Sequence, residues 1–169
     1  MQKVTRLLIA AFFASIIFTT RFFVPPPIDR LLIAVDAVLL ALSALFIKKV
    51  GATYVGAVSG VLTGLWLPSF LPFSVIFAFF FGVIVDASLL LFKVNATKEG
   101  VNRNRLIAAM AFGTLLIAFI SYYATTVLRV IPSFPAIDIL VLFMGPASGA
   151  SAGYAASYLW NKYLKSIIV

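Results

Sequence analysis

Two aspartates lie deep within apolar stretches of this chain, and they are the first candidates for chemistry. The 169 residues include five acids and thirteen bases, but no His and no Cys. An aspartate at the centre of a membrane span costs about 2.5 to 3.5 kcal/mol on insertion, so Asp36 and Asp86 each need a partner, a proton or water. Asp36 is the better candidate for binding a ligand. Asp86 is expected to pair with Lys93 or with the end of a neighbouring helix.

The missing residue types exclude several classes of site. Without Cys and His, the chain forms no disulfide, thiolate nucleophile, imidazole base or haem ligand, and none of the usual zinc, copper or iron sites. The phosphate-binding sequence Gly-x-x-x-x-Gly-Lys-Ser/Thr is also absent. We therefore predict no metal, no cofactor and no enzyme activity. Active transport would draw its energy from an ion gradient or from another subunit.

Further polar and aromatic side chains are expected near the outer ends of the apolar segments. Arg21 could bind an anion or a carbonyl group, or could simply reach the membrane surface. Tyr122 and Tyr123 suit a pocket for a planar small molecule, or an ordinary aromatic belt. Asp138 either caps a helix or pairs with Arg129. The predicted substrate-binding set is Arg21, Asp36, Trp66, Tyr122, Tyr123, Arg129 and Asp138.

Six apolar segments position these side chains. The chain is 63% hydrophobic and 11% charged, whereas a soluble domain is about half apolar and about a quarter charged. Each segment approaches the roughly 20 residues that cross about 30 Å of hydrocarbon. We predict an all-α, multi-pass protein of the cell membrane, a single domain with six transmembrane helices at residues 7–24, 31–47, 50–67, 70–92, 106–128 and 137–160.

The net charge of +8 is explained by orientation in the membrane and not by nucleic-acid binding. Ten of the thirteen bases fall in loops on one side, namely Lys3, Arg6, Lys48, Lys49, Lys93, Lys98, Arg103, Arg105, Lys162 and Lys165. The remaining three, Arg21, Arg30 and Arg129, fall on the other side. Because basic loops stay in the cytoplasm, both termini are predicted to be cytoplasmic and the candidate site to face outward. Trp66, and Trp160 with Tyr163, are predicted to lie at the two membrane interfaces.

Small residues recur on single helical faces. Glycines stand four residues apart from Gly56 to Gly64 in the third segment and from Gly145 to Gly153 in the sixth. Such spacing lets a neighbouring helix approach closely. For these glycines we favour packing within one six-helix bundle. The smaller face of the first segment, with Ala10 and Ala14, could instead be where a second membrane protein docks.

Three stretches carry a family resemblance: Ala10-Ala11-Phe12-Phe13-Ala14 in the first segment, the region from Gly51 to Asp86, and the glycine-rich sixth segment. Together with the length and the six predicted helices, they make the chain resemble the substrate-binding S component of an energy-coupling factor vitamin transporter. Within that family, the region from Gly51 to Asp86 and the sixth segment are similar to S components of the hydroxymethylpyrimidine and thiamine type.

The resemblance implies a mechanism and partners. A vitamin or vitamin precursor would bind under the loops around residues 25–30, 67–73 and 129–138. The face of Ala10 and Ala14 would dock on a transmembrane T component, and two cytosolic ATPases would drive rotation of the S component and inward release. A bulky residue at Ala10 or Ala14 is then predicted to abolish uptake while sparing substrate binding.

Three other functions stay open. A stand-alone secondary transporter or channel would use Asp36 and Asp86 as ion or proton sites. An intramembrane enzyme would need a catalytic cluster at one depth, whereas these two aspartates are predicted in opposite halves of the membrane. A structural assembly protein would have no ligand in its outer half.

Overall fold

The computed structural model describes residues 3–24, 28, 32–48, 50–68, 71–97, 99–129 and 135–165. This part of the chain forms six α-helices: α1 (Lys3–Phe23), α2 (Ile33–Ile47), α3 (Gly51–Trp66), α4 (Leu71–Leu91), α5 (Arg103–Tyr122) and α6 (Pro135–Leu159). A wider π turn extends α5 over Tyr123–Val127 and α6 over Trp160–Leu164. The all-α class is confirmed, and a helix lies in each of the six predicted segments, with small shifts at the ends. That all six cross a membrane stays a prediction.

Four of the helices are long and apolar enough to cross a membrane: Val4–Phe23, Leu71–Leu91, Arg103–Val127 and Pro135–Leu164. The other two are shorter, because α2 has 15 residues and α3 has 16. At a rise of 1.5 Å per residue they extend only about 22 to 24 Å, less than the roughly 30 Å of a hydrocarbon core. The chain is therefore an all-α protein with several helices suited to a membrane.

Glycine builds two close antiparallel hairpins, α3 with α4 and α5 with α6. A Cβ on Gly60 would lie 2.9 Å from the Cα of Val75, and a Cβ on Gly153 would lie 2.8 Å from the Cα of Ile107. Since the neighbouring atoms belong to the backbone, they cannot rotate away, and only glycine permits these approaches. The prediction that the two glycine faces pack within the bundle is confirmed.

The short helix α2 lies at the centre of the bundle and contacts each of the other five helices. Nine of its residues are buried, including the small side chains of Ala37, Ala41 and Ala44. Protein thus surrounds α2 on most sides, so its length need not match the thickness of a bilayer.

Large apolar side chains cover the outside of the bundle. More than half of the surface is exposed on Leu7 of α1, Leu65 of α3, Leu90 of α4, Phe119 of α5 and Phe143 of α6. An apolar surface of this extent on every side is uncommon in a monomeric soluble protein and suits contact with lipid tails.

Ring contacts show which helix ends lie together. Phe46 near the end of α2 packs edge-on against Trp160, with the ring centroids 5.0 Å apart. The guanidinium of Arg103, at the start of α5, lies 4.3 Å from the ring centroid of Tyr154 in α6. These contacts define the end of the bundle that we call the basic end. In the described part of the chain, the basic end carries Lys3, Arg6, Lys48, Lys93, Arg103, Arg105, Lys162 and Lys165.

Trp160 corrects one expectation about the basic end. We predicted this indole to lie at the membrane interface, but only 1% of the residue is exposed. Its contact with Phe46 places it in the core. Tyr163, three residues later, is 54% exposed and retains a position compatible with the interface.

The polar loop between α4 and α5 is tied to the end of α6 by Asn161. The side-chain Oδ1 of Asn161 accepts a hydrogen bond from the N–H of Val101 at 2.8 Å, and its Nδ2 donates to the carbonyl of Val101 at 3.1 Å. Gly100 has a φ of +130°, and a Cβ there would lie 2.5 Å from Asn161 Oδ1. Asn102 then caps α5 by accepting from the N–H of Arg105 at 3.2 Å. This clamp fixes the start of α5, and with it the position of Arg103.

Candidate functional site

An ion pair joins α1 and α2 at the end of the bundle opposite the basic end. Nη2 of Arg21, in the last turn of α1, donates to Oδ2 of Asp36, in the first turn of α2, at 2.5 Å. The Asp36 side chain is 4% exposed and the Arg21 side chain is 21% exposed. In the described part of the chain this is the only salt bridge. Water has little access to this carboxylate. The charge-assisted hydrogen bond from Arg21 therefore compensates its negative charge.

The second carboxylate oxygen of Asp36 can still accept a hydrogen bond. Oδ1 is buried and accepts no hydrogen bond from the described residues. An ionised carboxylate is only an acceptor, and a buried acceptor without a donor costs about 1 to 3 kcal/mol. A ligand that brings an N–H or O–H group to Oδ1 would recover this free energy. Asp36 therefore keeps one buried acceptor for a ligand, and its role in substrate binding stays a prediction.

Aromatic rings also lie at this end of the bundle. Phe22, next to Arg21, packs against Trp66 at the end of α3 with ring centroids 4.4 Å apart. Trp66 is 53% exposed and Phe22 is 43% exposed. The flat faces of such rings can cover a planar ligand. The structure thus brings three predicted site residues, Arg21, Asp36 and Trp66, around the end of α1.

The other four predicted residues form a second group on α5 and α6. Tyr122 is half-buried and Tyr123 is exposed, at the start of the π turn. Arg129 is exposed and has a φ of +51°. Asp138 is 5% exposed in the first turn of α6. The roles predicted for Asp138, as a helix cap or as the partner of Arg129, stay predictions.

The aspartates of the two groups lie at different heights of the bundle. The contact between Phe46 and Trp160 gives a common reference level for α2 and α6. From that level toward the opposite end of the bundle, helix rise puts Asp36 roughly 15 Å along α2 and Asp138 roughly 33 Å along α6. For near-parallel axes, the two carboxylates are therefore separated by roughly 18 Å in height. This separation argues against one compact site that contacts all seven predicted residues at once.

The three predicted binding loops fall partly outside the described residues. Of the ranges 25–30, 67–73 and 129–138, the structure describes residues 28, 67–68, 71–73, 129 and 135–138. The contribution of these loops to substrate binding therefore stays a prediction.

Asp86 has a structural partner, and it is the start of α3. Its carboxylate accepts from the backbone N–H of Ala52 at 3.2 Å, from the N–H of Thr53 at 2.8 Å and from the hydroxyl of Thr53 at 2.6 Å. Val50, the residue at the cap position of α3, provides no side-chain cap of its own. A carboxylate from α4 thus satisfies the free amides of α3 and lies at the positive end of its dipole. Of the two predicted partners of Asp86, the end of a neighbouring helix is confirmed, and it is this helix end, not Lys93, that the carboxylate binds.

Removal of this cap is expected to destabilise the protein. Asp86→Ala leaves the amides of Ala52 and Thr53 without their acceptor, and the expected loss is about 2 kcal/mol. This corresponds to a fall in Tm of roughly 4 to 8 °C for a chain of this size. Thr53→Val, which removes only the hydroxyl donor, should have a smaller effect. Thermal unfolding in detergent measures both, and an unchanged Tm for Asp86→Ala would refute the capping role.

Ala10 and Ala14 do not form an exposed docking face. Ala10 is 5% exposed and Ala14 is 0% exposed, and both belong to the hydrophobic core. The accessible face of α1 instead carries Leu7, Leu8 and Phe12, each more than 60% exposed. The small side chains let α1 approach α2 and α3 within the chain. In this conformation they are unavailable to a second protein, which corrects the sequence-based interpretation.

This correction changes the result expected for a bulky residue in α1. Ala14→Trp must displace core atoms and should lower the yield of folded, monodisperse protein, since overpacking typically costs about 1 to 3 kcal/mol or more. Phe12→Trp, on the exposed face of the same helix, is the matched control and should fold normally. Size-exclusion chromatography of both variants tests this. Normal folding of Ala14→Trp with loss of uptake alone would restore the docking interpretation.

A second polar region, at the basic end, was missed from the sequence. Arg103, Tyr154, Ser157, Tyr158, Asn161 and Lys162 line an open cavity of about 370 Å³. The sequence does contain a signal, because Tyr154, Tyr158 and Lys162 are spaced four residues apart on one face of a helix. The contribution of Arg103 depends on how α5 packs against α6, which the spacing does not show.

Comparison of this chain with protein-family models, curated proteins and solved structures found no match.

Proposed function

We propose that this chain is the substrate-binding membrane subunit of an energy-coupling factor importer. It captures a vitamin or vitamin precursor at the outer end of the bundle and delivers it inward with separate subunits. The proposal continues the resemblance noted in the sequence, and the burial and charges of the described residues support it.

The observation that carries the proposal is the Asp36 carboxylate. One oxygen is bound by Arg21, and the other is buried without a donor among the described residues. Phe22, which follows the Asp36 partner Arg21 in α1, contacts the ring of Trp66. A charged acceptor next to aromatic faces suits a small heterocycle that carries an amino or hydroxyl group. An aminopyrimidine is one such molecule.

The proposed topology has six crossings with both termini in the cytoplasm. Its main support is the distribution of charge, because the basic end carries most of the described Lys and Arg residues. The central position of α2 allows a helix of 15 residues to cross within protein instead of lipid. The exposed face of α3 repeats every three to four residues with Tyr54, Val58, Val61 and Leu65, as a lipid-facing stripe would.

The depth of α2 also favours a site at the outer end. By helix rise, α2 begins lower in the bundle than the outer ends of α5 and α6 do. We assign the bound molecule to the space beside these outer ends, beyond Ile33. A short helix surrounded by longer ones leaves space for a ligand between the longer helices.

The partners in this proposal are a transmembrane T component and two cytosolic ATPases. The chain has no phosphate-binding loop of its own, so the energy for transport comes from those subunits. Docking through Ala10 and Ala14 is not part of the proposal, because both are buried. We also propose no catalytic role, since His and Cys are absent and Asp86 is engaged as a helix cap.

A stand-alone, ion-coupled transporter is the second candidate, and the free oxygen of Asp36 is the observation that favours it. A buried carboxylate could hold a proton or a cation during transport. The other aspartate predicted for this role, Asp86, is engaged with α3. Only one of the two proposed ion sites is thus open.

Reconstitution distinguishes the two candidates. The purified protein is first tested for thermal stabilisation by thiamine, hydroxymethylpyrimidine, riboflavin and biotin, and the stabilising compound is then radiolabelled. Proteoliposomes that contain this chain alone, with an imposed proton or sodium gradient, should bind the compound without accumulating it. Accumulation driven by the gradient alone would support the second candidate, and no stabilisation by any of the four would count against the proposed substrate class.

A further inference from the structure

The open cavity at the basic end has two cations without an acidic partner. It is lined by Arg103, Tyr154, Ser157, Tyr158, Asn161 and Lys162 and has a volume of about 370 Å³. Among the described residues, the only salt bridge is that of Arg21 with Asp36, at the opposite end of the bundle. Among the described residues, the lining of the cavity therefore carries two positive charges and no carboxylate.

The polar side chains at the base of the cavity are already engaged. Asn161 uses its Oδ1 and Nδ2 to hold Val101, and the Ser157 hydroxyl donates to the carbonyl of Tyr154 at 2.7 Å. These hydrogen bonds hold the backbone in place. The charged donors left for a ligand are those of Arg103 and Lys162.

Tyrosine rings hold both cations in place. The Arg103 guanidinium stacks 4.3 Å from the ring centroid of Tyr154, which leaves the N–H groups at its edge accessible. Lys162 Nζ donates to the Tyr158 hydroxyl at 2.8 Å and lies 5.2 Å from the ring centroids of Tyr158 and Tyr163. The Lys162 ammonium also hydrogen-bonds Tyr163. An ammonium group has three donors, so one remains for a further acceptor.

The cavity opens on the side of the bundle, where two of its tyrosines are exposed. Tyr154 is 45% exposed, and Tyr158 is 47% exposed. The continuous helix Pro135–Leu164 has 30 residues and is about 45 Å long, whereas the hydrocarbon core is about 30 Å thick. About 15 Å of this helix therefore lies outside the hydrocarbon core. Lys162 and Lys165 favour its C-terminal turns for the headgroup layer, where tyrosines are also preferred.

We propose that this cavity binds the headgroup of an anionic phospholipid. The phosphate is held between Arg103 and Lys162, and the exposed rings of Tyr154 and Tyr158 contact the glycerol backbone and the first carbons of the acyl chains. Charge complementarity selects an anionic lipid over a zwitterionic one. The proposal does not depend on the identity of the transported substrate or on Asp36.

Native mass spectrometry of the full chain in detergent tests the proposal. Dioleoylphosphatidylglycerol and dioleoylphosphatidylcholine are added at equal concentration, and the bound fraction of each is measured. The wild-type protein should prefer phosphatidylglycerol. The double variant Arg103→Gln/Lys162→Gln should lose roughly tenfold in its affinity for phosphatidylglycerol, since each base near a membrane surface contributes to the attraction of anionic lipid.

The matched control is Lys48→Gln/Lys93→Gln. It removes the same net charge from the same end of the bundle, from exposed residues outside the cavity. It should keep the wild-type preference. An equal loss in both double variants would show non-specific electrostatic attraction and would overturn the proposal.

Two further arms complete the test. Arg103→Lys, which keeps the charge but loses the planar donor pair, should bind more phosphatidylglycerol than Arg103→Gln does. Soluble glycerol 3-phosphate should not compete at concentrations at which phosphatidylglycerol saturates the protein. Competition by glycerol 3-phosphate at equal concentration would identify a site for soluble anions, and wild-type lipid binding by the double variant would show that the cavity is not the site.

Discussion

Gly149→Ala is expected to unfold at a clearly lower temperature than the wild-type protein, although it adds only one methyl group. A Cβ on Gly149 would collide with the Thr114 hydroxyl and with the backbone carbonyl of Met110. The carbonyl belongs to α5 and cannot rotate away, so α5 and α6 must separate. We expect a loss near the upper end of the roughly 1 to 3 kcal/mol typical of overpacking, or a fall in Tm of roughly 5 to 10 °C.

Gly113→Ala is the matched control, because it is the same substitution in the interior of a neighbouring buried helix. The nearest atom to a Cβ on Gly113 is Ser88 Oγ at 3.1 Å, and the next two are also side-chain atoms, at 3.6 and 3.7 Å. These can adjust, and alanine favours a helix over glycine by about 1 kcal/mol. The Tm of Gly113→Ala should change little. Equal unfolding temperatures for the two variants would contradict the close packing of α5 on α6.

The variants of Arg21 and Asp36 are expected to have the largest effect on function, and their effects on stability should be unequal. Arg21→Met leaves the Asp36 carboxylate, 4% exposed, without compensation, and breaking a buried pair in this way costs about 3 to 5 kcal/mol. Asp36→Asn leaves a guanidinium that is 21% exposed and can reach water or headgroups. We therefore expect Asp36→Asn to cost less than Arg21→Met.

The double variant Arg21→Met/Asp36→Asn separates stability from ligand binding. With both charges removed, it should recover a large part of the stability lost in Arg21→Met. If Asp36 Oδ1 accepts a hydrogen bond from the substrate, the double variant should nevertheless bind substrate at least tenfold more weakly, because a charged hydrogen bond is worth about 1.5 to 3 kcal/mol. Isothermal titration of the wild-type and double variant measures this difference. Equal affinities would show that the ion pair is purely structural.

The positions of the helices could be predicted from the sequence because apolar run length decides them. The second helix was expected at residues 31–47 and is found at Ile33–Ile47. The π turn Trp160–Leu164 carries α6 beyond its expected end, and no residue in that turn breaks a helix. Boundaries that depend on composition were thus predictable, whereas a change in the winding of a helix was not.

The sides of the helices could not be predicted in the same way, since both the lipid-facing and the protein-facing sides of α1 are apolar. Periodicity therefore does not distinguish the face of Ala10 and Ala14 from the face of Leu7 and Phe12. Packing decides that the smaller residues face inward, where helices approach most closely.

Contacts between distant parts of the chain were the least predictable features of the candidate site. The pair of Arg21 with Asp36 joins residues that were both predicted for the site, but their contact depends on how α1 packs on α2. Asp86 caps α3 across 34 residues, and Asn161 holds Val101 across 60. No local spacing indicates either bond. The difference in height between Asp36 and Asp138 likewise follows from packing, which the sequence pattern does not contain.

The central claim is that the outer end of the bundle holds a small vitamin-like molecule beside Asp36. The most direct test is mass spectrometry of small molecules extracted from the wild-type protein and from Arg21→Met/Asp36→Asn after identical purification in detergent. We predict a single heterocyclic compound at near-equal molar ratio in the wild-type sample and its loss from the folded double variant. The claim would be contradicted if the wild-type protein carried no such compound, or if both samples carried the same compound in equal amounts.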